Sequence, residues 1–214
     1  MKTVGDKIEA FSVTGVKPGF NEHEEKGQSA FETIAEQSFP GKWKIIYTYP
    51  KDFTFVCPTE IAGFVKLAKD FEDRDAVLLS GSTDNEFCKL GWRRDHKDLS
   101  RLNHWQFADT TGVLVDHLGI REKTAGVALR ATFIVDPDNV IQHMSVNNLN
   151  VGRNADEVLR LPRRPADRRT VSVQPRGWWR RTITHPQFGR GTEARVHGLP
   201  SHLHPRQQEA PWIF

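Results

Sequence analysis

Lys44-Ile45-Ile46-Tyr47-Thr48-Tyr49-Pro50-Lys51-Asp52-Phe53-Thr54-Phe55-Val56-Cys57-Pro58-Thr59-Glu60 is the stretch on which the fold turns. Residues 44–49 are mostly β-branched and aromatic, with Pro40-Gly41 before them and Pro50 after, which predicts a short buried strand. A helix follows. Ile61, Phe64, Val65, Ala68 and Phe71 recur at helical spacing and share one face, and Pro58 is tolerated in a first turn, where its missing N–H has no partner to lose. Ala76-Val77-Leu78-Leu79-Ser80 reads as a second strand, so the unit predicts a parallel pair joined by a right-handed crossover. Farther on, residues 84–95 predict a helix. Ala131–Val135, the turn Asp136-Pro137-Asp138-Asn139 and Val140–His143 predict a hairpin. A parallel βαβ unit with a late antiparallel hairpin belongs to the α/β class.

The remaining composition narrows the function. A chain of 214 residues fits one domain, or one domain with an appendage. Its hydrophobic share of 37% and mean hydropathy of −0.55, with no long apolar run, exclude a membrane-spanning protein. Met1-Lys2-Thr3-Val4-Gly5-Asp6 lacks the apolar stretch of a secretory leader, and a cytoplasmic protein is expected. Cys57 and Cys88 are the two cysteines, too few for a disulfide-stapled scaffold or a four-cysteine zinc site. The histidines show no metal-ligand spacing matched by second ligands; His202-x-His204 is a weak exception.

The net charge of +3 is misleading as an average. Residues 1–160 carry 20 Lys+Arg against 24 Asp+Glu, whereas residues 161–214 carry 10 Arg, no Lys and 3 acids. That tail also holds seven of the 12 prolines, without helical or alternating apolar period. The expected organisation is an α/β domain over 1–160 and an Arg/Pro-rich, disordered tail over 161–214.

Cys57 falls where the first strand turns into the first helix. There, free backbone N–H groups and the positive end of the helix dipole stabilise a thiolate. The bland alternative is a small buried core residue. Against it stand Thr54, one turn earlier, whose hydroxyl can meet whatever the thiolate attacks, and the proline-bounded loop that narrows access.

Pro-x-x-x-Thr-x-x-Cys, here Pro50, Thr54 and Cys57, resembles the signature of the peroxiredoxins, and Asp52–Glu60 resembles their typical two-cysteine branch. Thr83–Phe87, Trp92, Arg130–Pro137 and Val151–Asn154 extend the resemblance, toward the alkyl hydroperoxide reductase C type, over about residues 3–160. The resemblance implies a thioredoxin-like fold, with a central mixed sheet flanked by helices. It implies a peroxidase in which the Cys57 thiolate attacks a hydroperoxide and becomes a sulfenic acid. In that scheme Thr54 hydrogen-bonds the peroxide, Pro50 shields the pocket, Arg130 holds the thiolate and reacting oxygens, and Glu60 orients the arginine. No metal, haem or flavin is implied. The implied partners are a hydroperoxide substrate, a thiol reductant (thioredoxin, a flavoprotein reductase or a lipoyl-linked adaptor), and a second copy in a homodimer that can join a ring. A non-catalytic or holdase-like oligomer is the alternative from a different class.

The resemblance also exposes a departure. The family's resolving cysteine comes from a C-terminal arm of the partner subunit, yet no cysteine follows Cys88 in this sequence. Cys88 lies on the 84–95 helix, and the resemblance makes it a buried thiol near a contact between dimers. The tail offers its own explanation. Pro162–Arg176, written with free third bases and read one base later, permits Leu-Asp-Ala-Leu-Gln-Thr-Asp-Glu-Leu-Cys-Pro-Cys-Asn-Arg, which resembles the family's missing arm. The competing reading is an Arg-rich extension contacting nucleic acid or an anionic surface, but no recognition motif organises those arginines.

Overall fold

The computed structural model describes residues 1–100 and 102–162, all within the first of two units into which the chain divides, Met1–Thr170. The expected tail lies outside the described residues from Arg163 onward. Five strands precede the first helix: β1 (Ser12–Val16), β2 (Glu24–Glu25), β3 (Gln28–Ser29), β4 (Phe31–Ala35) and β5 (Trp43–Thr48). After these come α1 (Cys57–Glu72), β6 (Ala76–Ser82), α2 (Glu86–Asp95), β7 (Trp105–Ala108), α3 (Val113–Leu118), β8 (Arg130–Val135), β9 (Ile141–Asn147) and α4 (Ala155–Leu159).

The main sheet runs β4-β1-β7-β6-β5-β8-β9. At its centre β5, β6 and β7 are parallel, while β8, β9, β1 and β4 add antiparallel pairs, so the sheet is mixed. Alternation along β5 sends its side chains to two cores. Ile45 and Tyr47 pack with Ile61, Phe64 and Phe71 of α1 and Val158 of α4, whereas Ile46 packs with Leu114 and Leu118 of α3. Burial on both faces is why β5 reads as a largely apolar run.

Several boundaries shift from the sequence expectation. The second helix begins at Glu86, because Asn85 is extended (ψ 168°) and its side chain accepts the Cys88 N–H as an N-cap. Tyr49 is fully buried beyond the end of β5, with its N–H donated to Gly81 O. In the hairpin Val140 is displaced from β9 by a register shift at Ile134/Val135 and pairs instead with Lys7. Ile61, Phe64 and Phe71 are buried on α1 as its periodicity predicts, while Val65 and Ala68 are only partly covered. Cys88 is half-buried in the single chain.

The site hangs on the β5–α1 connection and the start of β8. Residues 50–56 form an irregular loop, and α1 starts at Cys57 itself, with Pro58 in its first turn. Residue Arg130 opens β8, the antiparallel neighbour of β5, and so lies beside that loop across the sheet edge.

Candidate active site

Cys57 is the first residue of α1 and has no exposed surface. Val56, the N-cap, makes no side-chain capping bond, so the uncapped positive end of the helix lies at the thiol. Arg130 Nη1 lies 3.3 Å from Cys57 Sγ and 2.6 Å from Glu60 Oε2. Its Nε donates to Leu149 O at 2.7 Å, which fixes the plane of the guanidinium. Glu60, one helical turn after Cys57, has a side chain only 4% exposed. A carboxylate so buried needs paired charge. It has two partners. Besides Arg130, Arg153 donates to Glu60 from its backbone N–H (2.8 Å), Nε (3.2 Å) and Nη2 (3.2 Å).

Arg153 is the residue that sequence reasoning missed as a member of this cluster. It lies in the Val151–Asn154 segment before α4, and its Nη1 donates to Ala131 O at 2.8 Å, while the guanidinium covers the Tyr47 ring at 5.3 Å. The family-like Val-Gly-Arg-Asn segment was the available signal. Nothing in its spacing from Glu60, 93 residues apart, indicates the contact.

Beneath this layer Tyr47 and Tyr49 are wholly buried. The Tyr47 hydroxyl is 2.7 Å from His104 Nε2, and Tyr49 accepts from Gln106 Nε2 at 2.7 Å. Burial pushes both phenol pKa values up. Burial, reinforced by Arg93, pushes His104 down to about 3, so it stands as a neutral imidazole.

The structure thus brings Cys57, Glu60 and Arg130 into one hydrogen-bonded cluster. The other two expected site residues are in the loop. Thr54 is half-buried and its hydroxyl donates to Lys51 O at 3.2 Å, and Pro50 is half-buried at the loop's start. Among the described residues no group of His, Cys, Asp or Glu is arranged to hold a metal ion, and no helix is long and apolar enough to cross a membrane.

A buried thiol at a helix N-terminus, faced by a guanidinium beside a mixed central sheet, defines the class of thioredoxin-fold thiol enzymes. The comparisons narrow this. The AhpC/TSA family model matches residues 4–144. Alkyl hydroperoxide reductase C of Mycolicibacterium smegmatis is 47% identical over 161 residues, covering 74% of this chain and 82% of that one. A thioredoxin peroxidase of Trypanosoma brucei rhodesiense is 40% identical over 147 residues, covering 67% of this chain and 74% of its own length. Among solved structures, Mycobacterium tuberculosis AhpC superposes with a TM-score of 0.70 at 45% identity, covering 75% of this chain and 90% of that one. The chain belongs to the AhpC/TSA family and is a peroxiredoxin with the thioredoxin-like fold.

Proposed function

We propose that this peroxidase reduces hydrogen peroxide and organic hydroperoxides through Cys57. The observation that carries the reading is the Arg130 Nη1 to Cys57 Sγ contact at 3.3 Å on a thiol at the start of α1. In the reaction the Cys57 thiolate attacks one peroxide oxygen. The S–O bond forms as the O–O bond breaks, the departing alkoxide or hydroxide takes a proton from solvent, and Cys57 is left as a sulfenic acid. Arg130 offers donors to the thiolate and to the oxygen on which charge develops, and Glu60 holds the guanidinium in place. Thr54, whose hydroxyl proton is donated to Lys51 O, keeps lone pairs to accept from the peroxide O–H, while Pro50 limits water.

The cycle is completed by an external thiol, and relatives named for thioredoxin make a thioredoxin-type reductant the first to assay. The protein acts in the cytoplasm as a homodimer able to associate into rings. Exposed Phe53, Phe55 and Val56 of the loop, and Phe87 on α2, give a second copy apolar surface to cover. Residues 161–214, without a cysteine, are a shifted-frame replacement of the resolving arm; the nucleotide sequence around the Leu161 codon tests this directly.

The functional test is peroxide consumption with a dithiol reductant. The parent chain consumes peroxide and Cys57→Ser does not; equal consumption by the two overturns the assignment of Cys57.

A further inference from the structure

Cys57 is completely buried, yet the residues just before it are not: Phe53 is 54% exposed, Phe55 97% and Val56 49%. Within the chain itself, a loop with so little apolar cover is held by polar contacts. The holding contacts run through Asp52. Its side chain, 2% exposed, receives Lys89 Nζ of α2 at 3.2 and 3.3 Å, and the Lys89 side chain has no exposed surface. Ser82 Oγ, at the end of β6, accepts from Lys89 at 2.8 Å and lies 3.1 Å from Asp52 Oδ1. The Asp52 N–H donates to Asp84 Oδ2 at 2.7 Å. Lys89 also lies over the Tyr49 ring at 5.5 Å, on the last residue before the loop.

Immediately after this anchor the chain does something it resists. Phe53 has φ 54°, a left-handed conformation disfavoured for a bulky side chain, and its ring rests on Trp92, three residues after Lys89 on the same face of α2. Such a conformation persists only when its surroundings impose it. Burying a lysine and a carboxylate is costly unless they are paired, and burial here draws Asp52 up and Lys89 down in pKa against their mutual attraction. The mechanism above makes no use of this pair.

We propose that Lys89 is a positioning residue, and that its buried ion pair with Asp52 latches the 50–56 loop of this peroxidase in the shape that keeps Cys57 against Arg130. The inference rests on the reading of Cys57 as the reacting thiol. Closed, the latch holds the thiol next to the guanidinium. Opened, it releases the strain at Phe53 and lets the loop carry Cys57 toward solvent. The latch therefore sets the balance between reaction with peroxide and exposure of the thiol to other reagents.

The experiment uses the full chain carrying Cys88→Ser, so that Cys57 is its one thiol, with and without Lys89→Met. Three quantities are measured: oxidation of Cys57 by hydrogen peroxide, alkylation of Cys57 by iodoacetamide, and amide hydrogen exchange. With Lys89→Met, peroxide oxidation slows at least tenfold, alkylation accelerates at least tenfold, and exchange quickens at residues 50–57 while amides of β5 and β6 keep their protection. Unchanged rates in a folded variant overturn the proposal, as does exchange that rises evenly across the sheet, which marks a general loss of stability. Should Lys89→Met fail to fold, Asp52→Asn/Lys89→Met, which leaves no unpaired buried ion, carries the same three measurements. Failure of the double variant to fold also overturns the latch in favour of a purely structural pair. If the parent does not react with peroxide, the reading of Cys57 falls, but alkylation and exchange still decide whether Lys89 controls the loop.

Discussion

Arg153 grips Glu60 by three hydrogen bonds, one from its backbone at 2.8 Å and two from its guanidinium at 3.2 Å, across 93 residues of sequence. Glu60 is in turn the acceptor 2.6 Å from the Arg130 nitrogen that faces Cys57. Alignment of the inner arginine is therefore delegated to a carboxylate that the outer arginine fixes. Removing Arg130 takes away the guanidinium 3.3 Å from the Cys57 sulfur, and on the proposed mechanism Arg130→Met is expected to slow oxidation of Cys57 about 100-fold or more, the scale of losing one oriented donor. Stopped-flow mixing with hydrogen peroxide measures it; a loss below threefold removes Arg130 from the reaction.

Glu60→Gln leaves two buried guanidiniums without their shared counter-charge, since the Arg130 and Arg153 side chains are only 7% and 3% exposed. The expected destabilisation is about 3 kcal/mol, the scale of breaking a buried ion pair from one side. Urea unfolding followed by circular dichroism reads it, and a midpoint equal to the parent's contradicts the account of the cluster.

His104 gives the pH dependence a definite sign. Its folded-state pKa of about 3 lies below the ordinary value of 6.5, so in the window between them the unfolded chain binds a proton that the folded chain refuses. Its contribution is complete above pH 6.5 and is lost progressively as the pH falls toward 3. The slope approaches about 1.4 kcal/mol per pH unit for such a single group. His104→Gln should show a shallower loss than the parent between pH 6 and 4; parallel profiles would contradict a buried neutral imidazole.

Gly81 in β6 tests how tightly the sheet is packed beside the site. An added methyl there would clash with the Phe107 ring, which is itself buried. Gly81→Ala is expected to cost about 2 kcal/mol, as overpacking does in a dense core. A thermal melt that leaves the midpoint unchanged would show that the ring can move.

The fate of oxidised Cys57 follows from the tail. On the proposed reaction, in which Cys57 becomes a sulfenic acid, residues 89–214 supply no cysteine to meet it, and the expected outcome under excess peroxide is advance to sulfinic acid. Intact mass after excess peroxide should show the gain of two oxygen atoms on Cys57. An efficient Cys57–Cys88 disulfide between subunits, seen by non-reducing electrophoresis, would instead make Cys88 the resolving thiol.

What the sequence determined by itself is the part of the protein whose signal is local. Residues 44–49 and 76–80 announce a parallel pair because strands buried on both faces are largely apolar, and the Pro50–Glu60 segment carries the peroxiredoxin signature in consecutive residues. β1, β4 and β7 were not legible, since Ser12–Val16 and Phe31–Ala35 are half polar and Trp105–Ala108 is four residues long. Only pairing across the sheet makes them strands. The same division runs through the site. Cys57, Thr54, Glu60 and Pro50 lie within one loop and one helical turn, and Arg130 came with the family resemblance. Arg153 and Asp52 stand in motif segments of the sequence, but their pairing with Glu60 and Lys89 belongs to the tertiary structure alone. In sequence each is an ordinary charge with every reason to face water, and each is buried because the folded chain supplies a partner of opposite sign from a distant segment.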